Sequence, residues 1–328
     1  MSNLKLSVLV ICYNQEQYIA QTIESIVSQE HNYSYELIIC DDASKDNTPN
    51  IIREYAEKFP DIIIPVLREK NLGLIGNYYD GLSRLTGEYI MVCAGDDYWL
   101  PGKVESQITY MDEHPDVGLC YGDAITVDKD GNQNGVKKGQ INNTFKTLIT
   151  SNYMMAAAIC QRKSLADIYI NQINPLQKKW LMEDYPLVLW FSINSKISYI
   201  SQQFTAYRLL EESACHFTNL EYAIKFCESI RKIREYFLLM NSGNEKESCM
   251  ISYRYLFIEM IHMTRFGGNI KYKEYCKKIL KECNYNYLKN LYLSARITNK
   301  NINKIHIFSK RALDKVLHFF NNIFITKY

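Results

Sequence analysis

Apolar and polar residues alternate along the first 125 positions in two rhythms. Leu6 to Cys12 (LSVLVIC) is an almost unbroken apolar run of strand length, as expected of a parallel strand covered on both faces. Asn14 follows as a helix cap, with Gln17 three residues on as in a capping box, and Ile19, Ile23, Ile26 and Val27 recur at helical spacing. Glu36 to Cys40 is a second strand, closed by Asp41 and Asp42. Thr48 then caps a helix whose first position is Pro49, where a missing N–H costs nothing. Ile52, Tyr55, Ala56 and Phe59 form its apolar stripe. A strand over 62–67, a loop with Asn71 and Gly73, a helix ending at Leu85 and a strand from Glu88 to Cys93 complete the pattern. This alternation predicts a doubly wound α/β sheet, whose ligands bind beyond the carboxyl ends of the strands. Polar residues gather at those ends: Tyr13-Asn14, Asp41-Asp42 and Asp96-Asp97.

After Asp123 the rhythm loosens. A polar stretch over 128–139 reads as a loop or hairpin, 154–161 as a strand, 185–193 as a helix and 197–208 as a strand. Beyond Ser213 the chain has no proline, and segments 220–240, 249–266, 272–295 and 302–325 carry helix-period apolar residues. Two domains are expected: an α/β domain over 1–214 and an all-helical add-on over 215–328.

Charge sharpens this division. Residues 1–214 hold 18 of the 38 Lys and Arg but 27 of the 36 Asp and Glu, so the overall +2 separates into −9 and +11. An acidic domain that handles an anionic ligand needs a cation. The basic tail suits an anionic surface, an acidic partner, or simply solvent. Its last part, including Leu317, Phe320, Phe324 and Ile325, could lie on a membrane or pack in a bundle. The ten cysteines include no Cys-x-x-Cys, and several lie in apolar runs, so they read as reduced thiols. No apolar stretch approaches the ~20 residues that cross a bilayer, and no secretory signal is evident. A cytoplasmic protein is expected, with contact at the inner face of the membrane left open. No nucleic-acid partner is expected. Neither a Gly-x-Gly-x-x-Gly nor a Walker lysine follows the first strand, which disfavours dinucleotide and P-loop chemistry.

Three motifs carry a resemblance: Ser7 to Asn14 (SVLVICYN), Glu36 to Thr48 (ELIICDDASKDNT) and Gly87 to Trp99 (GEYIMVCAGDDYW). In this order and at this spacing they resemble the family-2 glycosyltransferases over about residues 4–210. The resemblance implies the GT-A nucleotide-sugar-binding fold, an inverting transfer and a Mn²⁺ or Mg²⁺ cofactor. It places Tyr13 near the base and Asp41 as acceptor for uracil N3–H. Asn71 and Asn77 would flank the nucleotide, Asp96 would serve both ribose and metal, and Asp97 would bind metal. Arg208 would neutralise diphosphate, and His216 would be a further metal ligand or diphosphate contact. Glu183-Asp184, opening a helix before Trp190, resembles the family's acidic base motif, with Asp184 the candidate general base and Glu183 second. Trp99 and Trp180 could stack on sugar or belong to the core. Ala94 departs from the family, which usually has an acidic residue there.

The implied activity is transfer of a hexose, galactose or glucose, from a UDP-sugar to a saccharide acceptor on a glycoprotein or lipid carrier. The helical tail would bind acceptor, dimerise or touch a membrane. The alternative is a catalytically silent sugar-nucleotide-fold scaffold, which Ala94 favours and Asp96, Asp97 and Asp184 oppose.

Overall fold

The computed structural model describes residues 4–150, 152–210, 219–242, 270, 271, 274 and 275. The chain divides into two units, 1–216 and 217–328. In the first, β1 (Leu6–Cys12) is buried along its whole length, as its apolar run demands. The helix α1 (Ile19–Val27) begins later than its expected cap. Asn14 instead takes a left-handed backbone (φ 53°), which Asn tolerates. Its N–H donates to Ser44 Oγ at 2.8 Å and its Oδ1 accepts the Lys45 N–H at 2.8 Å, so it joins two loops rather than capping a helix. After β2 (Tyr35–Asp41), Thr48 is the first residue of α2 (Thr48–Lys58), not its cap, and its Oγ1 accepts the Gln15 N–H at 2.8 Å.

Next come β3 (Ile63–Leu67), α3 (Gly73–Leu82), β4 (Tyr89–Ala94) and the short β5 (Tyr98–Trp99). The helix α4 (Lys103–Glu113) leads to β6 (Val117–Val127) and β7 (Gln133–Lys137), which form a hairpin across the polar stretch. A short α5 (Phe145–Leu148) precedes a 3-10 turn at Ala156–Ala158 and β8 (Ile159–Arg162), so the expected strand over 154–161 is strand only at its end. The unit closes with α6 (Lys163–Ile173), α7 (Pro175–Lys178), α8 (Asp184–Asn194) and β9 (Lys196–Arg208).

The strands make one sheet in the order β3-β2-β1-β4-β8-β6-β9-β5, with β7 on β6. From β3 to β4 they run parallel; β8 is antiparallel to both β4 and β6, and β9 is parallel to β6. Strand alternation sends Val8, Val10, Met91 and Cys93 into one core, where they meet Ile19, Ile23 and Ile26 of α1 and Ile108 of α4. On the other face Gly81 of α3 lies so close to Leu9 and Cys40 that a Cβ would stand 2.6 Å from Leu9 Cδ1. Helices therefore cover both faces and leave the strand ends to carry chemistry.

In the second unit, α9 (Leu220–Ser242) begins after Asn219, whose Oδ1 accepts the Glu221 N–H at 2.8 Å. Ala223, Phe226, Cys227, Ile230, Ile233 and Phe237 form its buried stripe. Most of the expected segments 249–266 and 272–295, all of 302–325 and the basic end of the tail lie outside the described residues. Among the described residues no helix is long and apolar enough to cross a membrane.

Candidate active site

The turn after β4 is built by its neighbours. Gly95 N–H donates to Ile11 O at 2.9 Å and Asp97 N–H to Ala94 O at 3.1 Å. The Thr22 hydroxyl of α1 lies 2.7 Å from Asp97 O. Gly95 is required here, because a Cβ would stand 2.5 Å from Gln15 Oε1 and 2.6 Å from Cys12 Cβ. The turn separates the two acidic side chains expected to hold metal. Asp96 is half-buried, while Asp97 is folded inside, with its Oδ1 accepting the Arg208 N–H at 2.9 Å. Burial, then repulsion from Asp96, pushes the Asp97 carboxyl well above the ordinary range. Asp97 thus pins β9 to the end of β4, and Asp96 is the less buried of the two carboxylates.

Arg208 also departs from expectation. Its guanidinium donates to Asp96 O (2.9 Å), Asp128 O (3.1 Å), Lys129 O (3.0 Å) and Gln21 Oε1 (2.7 Å), and it stacks over Tyr18 at 4.5 Å. Only 3% of the residue is exposed, so it is a strut of the fold rather than a free cation for diphosphate. Asn77 is likewise internal. Its Nδ2 donates to Cys40 O at 2.9 Å and its Oδ1 accepts from Arg68 Nε at 2.7 Å, so its side chain joins β2 to Arg68. Trp99 and Trp180 are both buried and belong to the core. His216 lies outside the described residues.

Tyr13, just past β1, is 46% exposed. Beside it, Asp41 is buried at the end of β2; its Oδ2 accepts the Ser44 N–H at 3.0 Å and its Oδ1 the Ser44 hydroxyl. Asn71 is exposed; it donates to Asp42 O at 2.9 Å and accepts the Gly73 N–H at 2.9 Å, shaping the loop into α3. Asp42, which sequence reading left without a role, anchors the same loop by accepting the Leu72 N–H at 2.7 Å. The paired aspartates of the motif carried that signal.

Glu183 and Asp184 stand at the start of α8, both half-buried. Asp184 Oδ1 accepts the Tyr185 N–H at 2.7 Å, and Oδ2 lies 3.4 Å from Asn152 Nδ2. Asp184 also lines a cavity of about 20 Å³ with Tyr78, Ile90 and Val92 of β4 and Gln161 of β8. The buried Gln161 Oε1 has no partner. Burial raises the carboxyl pKa of Asp184; burial, then the Asp184 charge, pushes Glu183 up to about 8.

Both carboxyls therefore hold their protons more tightly folded than unfolded. Their ionisation opposes folding increasingly as pH rises from ~4.3, the free glutamate value, through the folded values. Glu183→Gln is expected to match the wild-type thermal midpoint near pH 4. Near pH 9 it should be more stable by ~2–4 kcal/mol. Calorimetric melts across this range check it; parallel midpoints at every pH would contradict the raised Glu183 pKa.

The chain is similar to known proteins. Residues 7–169 match the family Glycosyl transferase family 2. The chain is 42% identical over 127 residues to a Mycobacterium tuberculosis protein, covering 38% of this chain and 37% of that one. It is 39% identical over 113 residues to EpsE of Bacillus subtilis, covering 34% of this chain and 40% of EpsE. The structure of S. aureus TarS residues 1–349 with UDP-GlcNAc superposes with a TM-score of 0.60 at 17% identity, over 85% of this chain and 82% of that one. The first unit carries a family-2 glycosyltransferase domain with the GT-A fold. The matches span 37% and 40% of these two relatives' own lengths.

Proposed function

We propose that this chain transfers a hexose from a UDP-sugar to a hydroxyl of a saccharide acceptor, with inversion at the anomeric carbon. The observation that carries the reading is the position of Asp184. It opens α8 and lines a cavity against β4, the strand whose far end presents Asp96. A carboxylate with a raised pKa is a better proton acceptor than a free one, and an acceptor hydroxyl needs such a base as it attacks. Asp184 takes the hydroxyl proton, and Glu183 stays protonated beside it over the lower part of the pH range. Attack opposite the leaving group inverts the sugar.

Tyr13 offers an exposed ring to the uracil, and Asp41 the acceptor for its N3–H. Ser44 donates once to each Asp41 oxygen and the Cys12 thiol also donates to Oδ1 at 3.8 Å, so Oδ2 is the oxygen that keeps a second lone pair for the base. Asn71 and Asp42 hold the adjoining loop in shape.

The residues around Asp96 fit a hard divalent cation. Asp96 is half-buried, with its charged form disfavoured by burial, and the neighbouring Gln15 Oε1 is buried without a partner. Mg²⁺ and similar ions are content with one or two carboxylates plus phosphate oxygens. Asp96 would hold Mn²⁺ or Mg²⁺, which when bound would offset the negative charge of the departing diphosphate as a Lewis acid. Asp97 contributes by fixing the turn.

TarS was solved with UDP-GlcNAc, so this donor is to be tested beside UDP-galactose and UDP-glucose. The acceptor we propose is a saccharide on a glycoprotein or lipid carrier, handled on the cytoplasmic side of the membrane. A donor screen with Mn²⁺, reading released nucleotide, tests the reading. Release from a UDP-sugar supports it; release from none, with saccharide acceptors supplied, counts against it. Asp96→Asn is expected to weaken UDP binding ~10–100-fold in Mn²⁺ but less than threefold in EDTA, since the lost contact is through the ion. Titration calorimetry reads both; equal losses in the two buffers would contradict the assignment.

A further inference from the structure

With Arg208 committed to the fold, the diphosphate lacks the protein cation that the sequence assigned to it. A different one stands close by. Lys137 ends β7, is exposed, and holds its Nζ 4.8 Å from the centre of the Tyr207 ring. Tyr207 adjoins Arg208, whose N–H is bonded to Asp97 Oδ1. Strand pairing sets the direction. Lys137 faces Ala124 across the hairpin, and Thr126, two residues on, pairs with Tyr207, so all four project from the same side of the sheet. Arg208, next along β9, projects to the opposite side, toward Tyr18, which precedes α1, and Gln21 of α1. Lys137 and Tyr207 therefore stand on the side away from α1, where Asp184 lines its cavity against Ile90 and Val92. The Lys137 charge reaches Asp97, where it counters part of the effect of burial.

We infer that Lys137 is the side chain that binds the diphosphate of the nucleotide donor, with the Tyr207 ring holding its aliphatic stem and ammonium in place. The inference rests on the nucleotide-sugar reading above and adds a residue that the motifs do not contain. A lysine is a compact point charge suited to phosphate oxygens, and an ammonium over an aromatic face is held without being neutralised. Because Lys137 and Arg208 project from opposite sides of the sheet, Lys137 can meet a phosphate without displacing Arg208.

The test compares uridine with UDP in titration calorimetry of the full chain, with EDTA present so that no divalent ion contributes. Lys137→Gln is expected to weaken UDP binding about tenfold and to leave uridine within twofold of wild type. It should also flatten the salt dependence of UDP affinity. Lys137→Arg should restore most of the loss, because it keeps the charge. UDP affinity within twofold of wild type in Lys137→Gln would overturn the inference, as would an equal loss for uridine. Wild-type protein that binds neither uridine nor UDP, with or without Mn²⁺, would instead remove the nucleotide reading itself, and this inference with it.

Discussion

Asp184→Asn is expected to lower sugar transfer by ~10²–10⁴-fold, the usual contribution of a positioned general base. UDP affinity should stay within twofold of wild type. Asparagine keeps the shape of the side chain and can still accept the Tyr185 N–H at the start of α8. What it cannot do is take a proton from an acceptor hydroxyl. The same assignment fixes the pH dependence. Transfer by the wild type should rise with pH as Asp184 ionises, with a midpoint above the ~3.9 of a free aspartate because burial raises its pKa. Steady-state rates across pH, with UDP binding measured in parallel, test both statements. Wild-type turnover in Asp184→Asn would exclude this carboxylate as the base.

The second large effect concerns Arg208, and it is on stability. Arg208→Met should cost ~3–5 kcal/mol, because several acceptors lose a charged donor at ~1–3 kcal/mol each and do not all regain water. The main-chain carbonyls of Asp96 and Lys129 would lose the Arg208 donor, Asp128 O would lose it but keep the Gly131 N–H at 3.1 Å, and the stack on Tyr18 would go with them. The loss reaches from the acidic turn to the β6–β7 hairpin and to α1, because one guanidinium joins all three. Arg208→Lys should recover little, since an ammonium cannot span that fork of acceptors. Denaturant midpoints measure this directly. An unchanged midpoint together with weaker UDP binding would return Arg208 to the diphosphate.

The parallel half of the sheet could be read from the sequence because its signals are local. β1 and β2 are apolar runs broken only by Ser7 in β1 and by Glu36 and the terminal Asp41 in β2, and Pro49 marks the start of α2. The antiparallel half was less legible. In β6 the apolar run is broken by Gly118, Gly122 and Asp123, and the strand itself is irregular there, with register shifts against β9. Gly122 is explained only by a distant residue: a Cβ would stand 2.4 Å from the Phe204 ring. No local pattern contains that contact. Lys103 of α4 hides its helix in a similar way, since a fully buried lysine over the Trp99 and Phe204 rings breaks the polar-outside rule.

The candidate site divides along the same line. Its strand-end positions were legible because acidic pairs follow buried runs, but the direction of each side chain was not. Asp96 and Asp97 are adjacent and identical in type, yet one is half-buried and the other is buried and bonded to Arg208. That choice is made by β9, more than 100 residues later in the chain. Arg208 and Asn77 were assigned to ligand for a related reason. A polar residue near a cleft looks the same in sequence whether its partner is a phosphate or a main-chain carbonyl. Lys137 was missed because it belongs to no motif and reaches the site only through the β6–β7 pairing.

One measurement bears most directly on the whole account: calorimetric titration of UDP into the full chain, once with Mn²⁺ and once with EDTA. The account predicts saturable binding with Mn²⁺ that weakens at least ~10-fold in EDTA, since Asp96 would hold the ion that offsets the diphosphate charge. No heat of binding in either buffer would contradict it.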